Sequence, residues 1–203
     1  MFSRNLIPYH LIFLRLIIGF VMILLSYFKV ANYAFISITL LSIGLVTDIF
    51  DGIIARILKV SNEKLRRLDS NVDQVFFISV VIATYIQCSS FFIENRIWLF
   101  ILIGFEIATY LLSYLKFRKE IATHSLGAKV WTLLLFATLV QLMYSCSSTI
   151  LFQFCFWVGI LTRLEIIAIV LILRKWTNDV PSVFAAIKLR KGKEIKRNDL
   201  FNG

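Results

Sequence analysis

Six apolar stretches of about 20 residues, separated by short polar connectors, leave this chain few folds to choose from. They run over residues 6–28, 33–56, 69–87, 97–115, 126–144 and 150–173. A helix of about 20 residues is about 30 Å long, the thickness of a bilayer's hydrocarbon core. The chain of 203 residues is 59% hydrophobic and 15% aromatic, and its two prolines and eight glycines leave little room for a loop-rich soluble fold. The expected fold class is therefore an all-α integral membrane protein with six transmembrane helices. A signal peptide is the rival reading of the first span. That span outlasts a typical signal-peptide apolar region and shows no Ala-x-Ala-like cleavage pattern, so an uncleaved first helix is expected.

Charge then sets the topology. The net charge is +10, from 22 Lys and Arg against 12 acids. Most of the cations lie at the N-terminus, in the 57–68 and 116–120 connectors, and in the tail from Arg174 onward. The alternate turns offer only Lys29 and Arg96, and nothing between Cys146 and Thr149. By the positive-inside rule both termini are expected in the cytoplasm. The division expected is a six-helix domain over 1–175 and a basic cytoplasmic tail over 176–203, read as a lipid-surface segment or a solvated, disordered one. Cations beside apolar spans call for anionic headgroups as partners, and nothing in the chain requires nucleic acid. Cys88, Cys146 and Cys155 form an odd set in or beside apolar segments and read as buried packing residues rather than disulfides or metal ligands.

Four of the chain's six aspartates fall between residues 48 and 73. With Asp48 at zero on a helix turning about 100° per residue, Asp51 falls near 300°, Gly52 near 40° and Ala55 near 340°. Two carboxylates and two small residues thus share one face. Asp69 and Asp73, four apart, share a face of the following helical segment. Two such pairs brought together make an all-oxygen site, and Mg²⁺, Mn²⁺ or Ca²⁺ is what keeps so many like charges ionised side by side. Arg56 adds a fixed cation suited to phosphate. An acidic helix end paired with Arg66 and Arg67 does not account for four aspartates at these spacings with Gly, Ala and Arg between them.

The run Asp48-x-x-Asp51-Gly52-x-x-Ala55-Arg56, followed by Asp69-x-x-x-Asp73, resembles the signature of the CDP-alcohol phosphotransferases, membrane enzymes of phospholipid synthesis. Leu65 departs from it, because the family places a second glycine there, close to the bound nucleotide. The departure bears on the CDP-binding geometry and leaves the carboxylates untouched. Pro8, Leu11 and Arg15 resemble part of the family's N-terminal segment, with Tyr9 and Ile12 replacing its Asn and Thr. Arg15 alone reads equally as a snorkelling side chain or as part of the active site.

The resemblance implies metal-dependent transfer of a lipid-phosphate group from a CDP-alcohol, such as CDP-diacylglycerol, to a small hydroxyl acceptor, with release of CMP. It implies Asp48, Asp51, Asp69 and Asp73 as ligands to Mg²⁺ or Mn²⁺, two ions in all, with Asp73 also the general base. Gly52 and Ala55 would leave room for the nucleotide, and Arg56 would contact its phosphates. A homodimer is expected by the same resemblance. The expected location is a bacterial cytoplasmic membrane, with the active site facing the cytoplasm.

The acceptor is read from weaker features. Lys129 and Thr132 resemble a Lys-x-x-Thr element of the family's fifth span, and Arg163 lies deep in the sixth span, where an unpaired charge is costly. Lys116, Lys129 and Arg163 are the candidate holders of a phosphorylated acceptor. Together with the Leu-Asp-Ser run at 68–70, which is similar to that in inositol-phosphate-using members of the family, they favour inositol phosphate or another polyol phosphate. The competing reading pairs Arg163 with Glu106 or Glu165 as a structural contact. His10 and His124 have no metal-ligand spacing and are expected to be non-catalytic. Two other classes compete with this reading. A cation transporter would place its acids near the bilayer midplane rather than at one face. A catalytically silent or altered-donor family member that binds lipid or a partner would account for Leu65.

Overall fold

The computed structural model of the protein describes residues 6–58, 60, 62–119, 125–177 and 180–193. Arg4, Lys59, Glu120, His124 and the end of the tail, 194–203, lie outside the described residues. Among the described residues every regular element is helical: α1 (Ile7–Tyr27), α2 (Tyr33–Ile57), α3 (Glu63–Gln87), α4 (Ser89–Glu94), α5 (Arg96–Phe117), α6 (Leu126–Ser145), α7 (Ile150–Ile172) and α8 (Val183–Arg190). Five of these, α1, α2, α5, α6 and α7, are long and apolar enough to cross a membrane.

The helix α3 is absent from that set because polar residues run through its first half as far as Gln74. The sequence reading places a connector at 57–68 and begins the third span at Asp69. Instead Asn62 caps the helix, its side chain accepting from the Leu65 amide at 2.8 Å, so the basic run Lys64, Arg66 and Arg67 is already helical. Asp69 and Asp73 therefore sit in the second and third turns of a helix whose first half is polar. Before Ser89, the apolar part spans only 75–86, too short a stretch to count as a bilayer crossing by composition.

The chain divides into two compact units. The first comprises residues up to Phe91 together with Leu139–Ser147. Pro8 opens α1, where its missing N–H costs nothing. Lys29 and Asn32 take left-handed backbone in the turn to α2. The buried face of α1 carries Pro8, Ile12, Arg15, Ile18, Gly19, Met22 and Ser26, the three- and four-residue repeat of a helix packed along its length. That face lies on α2 and α3. Small residues set the approach. A Cβ at Gly44 would come within 2.3 Å of the Phe76 ring, and one at Gly19 within 3.1 Å of Ser79. Farther along, Ser26 Oγ donates to the Ala83 carbonyl at 2.6 Å and Gln87 Nε2 to the Ser26 carbonyl at 2.9 Å. Polar bonds of this kind hold helices together where lipid removes the hydrophobic drive.

Cys88, at the end of α3, and Cys146, just beyond α6, form a disulfide. This corrects the expectation that both are reduced packing residues. Their separation of 58 residues has no motif spacing that would have revealed the pairing. Cys155, the third cysteine, is a free buried thiol, as expected.

The second unit comprises Phe92–Thr138 and Ser148 onward. Here α5 packs on α7, and Gly159 gives Trp131 its place: a Cβ there would fall 2.5 Å from the indole nitrogen, which donates to the Cys155 carbonyl at 3.1 Å. Trp98 meets Phe156 edge to face at 4.8 Å. Beyond α7 the chain turns back. Val180, Ala185 and Ala186 pack on Ile169 and Leu173, and Ser182 caps α8. The first part of the tail is therefore a docked helix, with Lys188 and Arg190 at its C-terminal end, where the helix dipole favours cations.

Candidate metal centre

Three helices of the first unit converge on one group of charges. Asp48 and Asp51 come from the C-terminal half of α2, Asp69 and Asp73 from the second and third turns of α3, and Arg15 from the middle of α1. The helical spacing that puts each acid pair on one face aims both pairs at the same point. Carboxylate oxygens of Asp48, Asp51 and Asp69 all lie within 4.8 Å of one another. Asp73 joins them through Arg15. The guanidinium is ion-paired with all four: Nη1 lies 3.0 Å from Asp48 Oδ1 and 3.3 Å from Asp69 Oδ1, and it also contacts Asp73, while Nη2 contacts Asp51.

Burial gives the group an inside and an outside. The side chains of Arg15 and Asp51 are 1% and 3% exposed, whereas Asp48, Asp69 and Asp73 are 34%, 29% and 29% exposed. A cation or a phosphate can approach from the open side. The donor set is all carboxylate oxygen, which fits the hard cations Mg²⁺ and Mn²⁺ and not a soft-ligand metal. Four carboxylates gathered on one guanidinium suit the site to such a cation.

The residues beside the carboxylates differ in character. The Arg56 guanidinium lies alongside Gly52, its nitrogens 3.6 and 3.8 Å from where a Cβ would sit, so glycine leaves that flank open. Ala55 instead points into a small core with Ile12, Leu65 and Val72. Leu65, at the position where the family signature has glycine, is 4% exposed in that same core.

The residues expected to hold the acceptor lie in the second unit, and two of them, Lys116 and Arg163, have partners within it. Lys116 Nζ donates to the carbonyls of Val170 at 3.0 Å and Leu171 at 2.7 Å. Arg163 is ion-paired with Glu106 and lies 4.5 Å over the Trp131 ring. Of the two candidate acids, Glu106 and Glu165, Glu106 is the one ion-paired with it. Lys129 is exposed on the first turn of α6, and Thr132 donates back to the Ala128 carbonyl at 3.0 Å. His10 is exposed on the first turn of α1.

Sequence reasoning left Arg15 between two readings, and the structure places it among the aspartates. A signal was present. Arg15 lies on the stripe shared by Gly19, Met22 and Ser26, and glycine and serine mark a helix-facing surface rather than a lipid-facing one. A snorkelling arginine belongs on the opposite side.

No curated protein and no solved structure matches the chain. A family profile, CDP-alcohol phosphatidyltransferase, matches residues 5–164, which include Arg15 and all four aspartates. With the signature's aspartates gathered from two helices at one point, and most of its length matched, the chain belongs to the CDP-alcohol phosphatidyltransferase family.

Proposed function

We propose that this protein transfers a lipid-phosphate group from a CDP-linked lipid, CDP-diacylglycerol being the representative donor, to the hydroxyl of a small polar acceptor, releasing CMP. The family supplies the reaction class, a CDP-alcohol donor and an alcohol acceptor, and the observation that carries the reading to this chain is the convergence of Asp48, Asp51 and Asp69 beside Asp73 and Arg56. Asp48, Asp51 and Asp69, with Asp73, would hold Mg²⁺ or Mn²⁺. Such ions, when bound, neutralise pyrophosphate oxygens and the charge that develops on departing CMP. Asp73, half-open to solvent, takes the proton of the attacking hydroxyl. Arg56 holds a donor phosphate, and Gly52 keeps the space beside it clear.

For the acceptor we favour a polyol phosphate such as inositol phosphate, held by Lys129 with Lys116 and Arg163. A phosphate reaching the last two must compete with the Val170 and Leu171 carbonyls and with Glu106. The second reading, an altered-donor or catalytically silent member, draws support from Leu65, whose side chain occupies core space where the family signature has none. One assay separates the two. CMP release by the purified protein in nanodiscs, with CDP-diacylglycerol and Mn²⁺ or Mg²⁺, is measured across inositol phosphate, inositol, glycerol phosphate and serine. Acceptor-dependent CMP that disappears in Asp73→Asn establishes the transferase and names the headgroup. No turnover by a folded, metal-binding protein favours the second reading.

We further propose that α3 is a sixth span and that both termini face the cytoplasm. At 25 residues α3 is about 37 Å long, enough to cross. Cys88 at its far end lies about 20–30 Å along the axis from Asp69 and Asp73, and disulfides persist in oxidising compartments, so the Cys88–Cys146 end suits the outside and the aspartates the cytoplasm. Membrane-impermeant thiol labelling of single cysteines placed at Ser147 and Lys193 of a cysteine-free protein tests this. In intact cells, label on the first and not the second is expected, and the reverse pattern refutes the orientation.

A further inference from the structure

A metal site made of four carboxylates should be unstable when empty, since like charges a few ångströms apart repel and only a cation between them offsets the cost. In this protein that cation is built in. Arg15 reaches the carboxylates from α1, buried to 1% exposure, with Nη1 directed at Asp48, Asp69 and Asp73 and Nη2 at Asp51. Its Nε is buried and has no hydrogen-bond partner, so the carboxylates alone orient the guanidinium. The three carboxylate oxygens that lie within 4.8 Å of one another are those of Asp48, Asp51 and Asp69, and Arg15 contacts an oxygen of each. A divalent ion seated on these carboxylates and a guanidinium spread across them compete for one place.

Resting on the metal-site reading above, we propose that Arg15 is a place-holding cation: its guanidinium occupies the carboxylate cage in the metal-free protein and must withdraw before a divalent ion is fully ligated. Two effects follow. The metal-free protein keeps α1, α2 and α3 together without an ion, because Arg15 links all three. Metal affinity is held down by the fraction of molecules in which the cage is already filled. Withdrawal also presents a guanidinium at the rim of the site, where the donor's phosphates would arrive. Arg15 is in this sense a positioning residue whose effect runs through the ligands.

The test uses full-length protein in detergent and Mn²⁺ as probe, with bound and free ion separated by electron paramagnetic resonance, thermal unfolding followed by tryptophan fluorescence, and stopped-flow mixing for rates. In Arg15→Gln, Mn²⁺ is expected to bind about tenfold tighter or better. Without metal the Tm is expected to fall by about 5 °C or more, and saturating Mn²⁺ to restore it. The observed binding rate is expected to level off at high Mn²⁺ in the wild type, where the guanidinium must first leave, and to rise linearly in Arg15→Gln. A charge that merely repels the ion from outside the cage would lower affinity without producing that plateau. Arg15→Lys, which keeps a cation but has one donor centre, is expected to fall between the two and covers the case in which Arg15→Gln does not fold. Unchanged or weaker Mn²⁺ binding in both variants, or linear rates in the wild type, overturns the inference while leaving the metal site in place. Absence of Mn²⁺ binding in the wild type and both variants overturns the metal-site reading, and this inference with it.

Discussion

Each unit of the protein buries one arginine in an apolar helix, and the two arginines are surrounded differently. Arg15 faces four carboxylates from two neighbouring helices. Arg163 faces one, Glu106, with its flat side on Trp131. The second arrangement is balanced: one charge meets one counter-charge, and an aromatic face takes the remaining surface of the guanidinium. The first gathers four carboxylates on one guanidinium, which suits it to further cations. The ratio of acids to base, rather than burial, separates a structural pair from a site for chemistry.

The comparison is broken or upheld by removing one acid from each. Asp51→Asn is expected to lower CMP-forming activity by about 10³-fold or more while leaving the fold intact, since three carboxylates still surround Arg15. Glu106→Gln strips Arg163 of the carboxylate it is ion-paired with and is expected to destabilise the protein by about 3–5 kcal/mol, with most of that recovered in Glu106→Gln/Arg163→Met. Thermal unfolding and steady-state kinetics measured on all three variants decide the matter. If Glu106→Gln leaves the Tm unchanged and instead raises KM for the acceptor, Arg163 belongs to the acceptor site and the contrast fails.

How much of this was visible beforehand differs between the two regions for physical reasons. Apolar run length set five of the long helices to within a few residues, because the bilayer imposes one length on every crossing element. The aspartate cluster was legible because helical periodicity is enough to put Asp48 with Asp51 and Asp69 with Asp73. The start of α3 was not. It depends on Asn62 finding the Leu65 amide, a local bond that outweighs the polarity of the residues after it. The partner of Arg163 was narrowed to two acids, and only tertiary packing chose Glu106. The Cys88–Cys146 pairing joins residues distant in the chain, and no periodicity predicts it.

Leu65 sharpens the comparison at its most sensitive point, because it lies close in sequence to the aspartates yet behaves as core. From the family signature alone, Leu65→Gly restores the standard residue and is expected to keep or raise activity. The structure predicts a cost first. Leu65 is packed with Ile12, Ala55 and Val72, so cutting it back leaves a cavity between α1, α2 and α3, the helices that carry Arg15 and the four aspartates. Leu65→Ala is expected to destabilise by about 2–4 kcal/mol, and Leu65→Gly by about 1 kcal/mol more from the helix-propensity penalty. The two effects separate in one experiment, with Tm and KM for the CDP-linked donor measured side by side. A lower Tm with an unchanged donor KM shows that Leu65 replaces the glycine for packing and that the nucleotide lies elsewhere. A lower Tm with a lower donor KM shows that the side chain trims the nucleotide pocket as well, so that core and donor site share this wall. An unchanged Tm contradicts the packing argument outright, because a leucine buried among three helices cannot be removed without loss of contact unless those helices close over the gap.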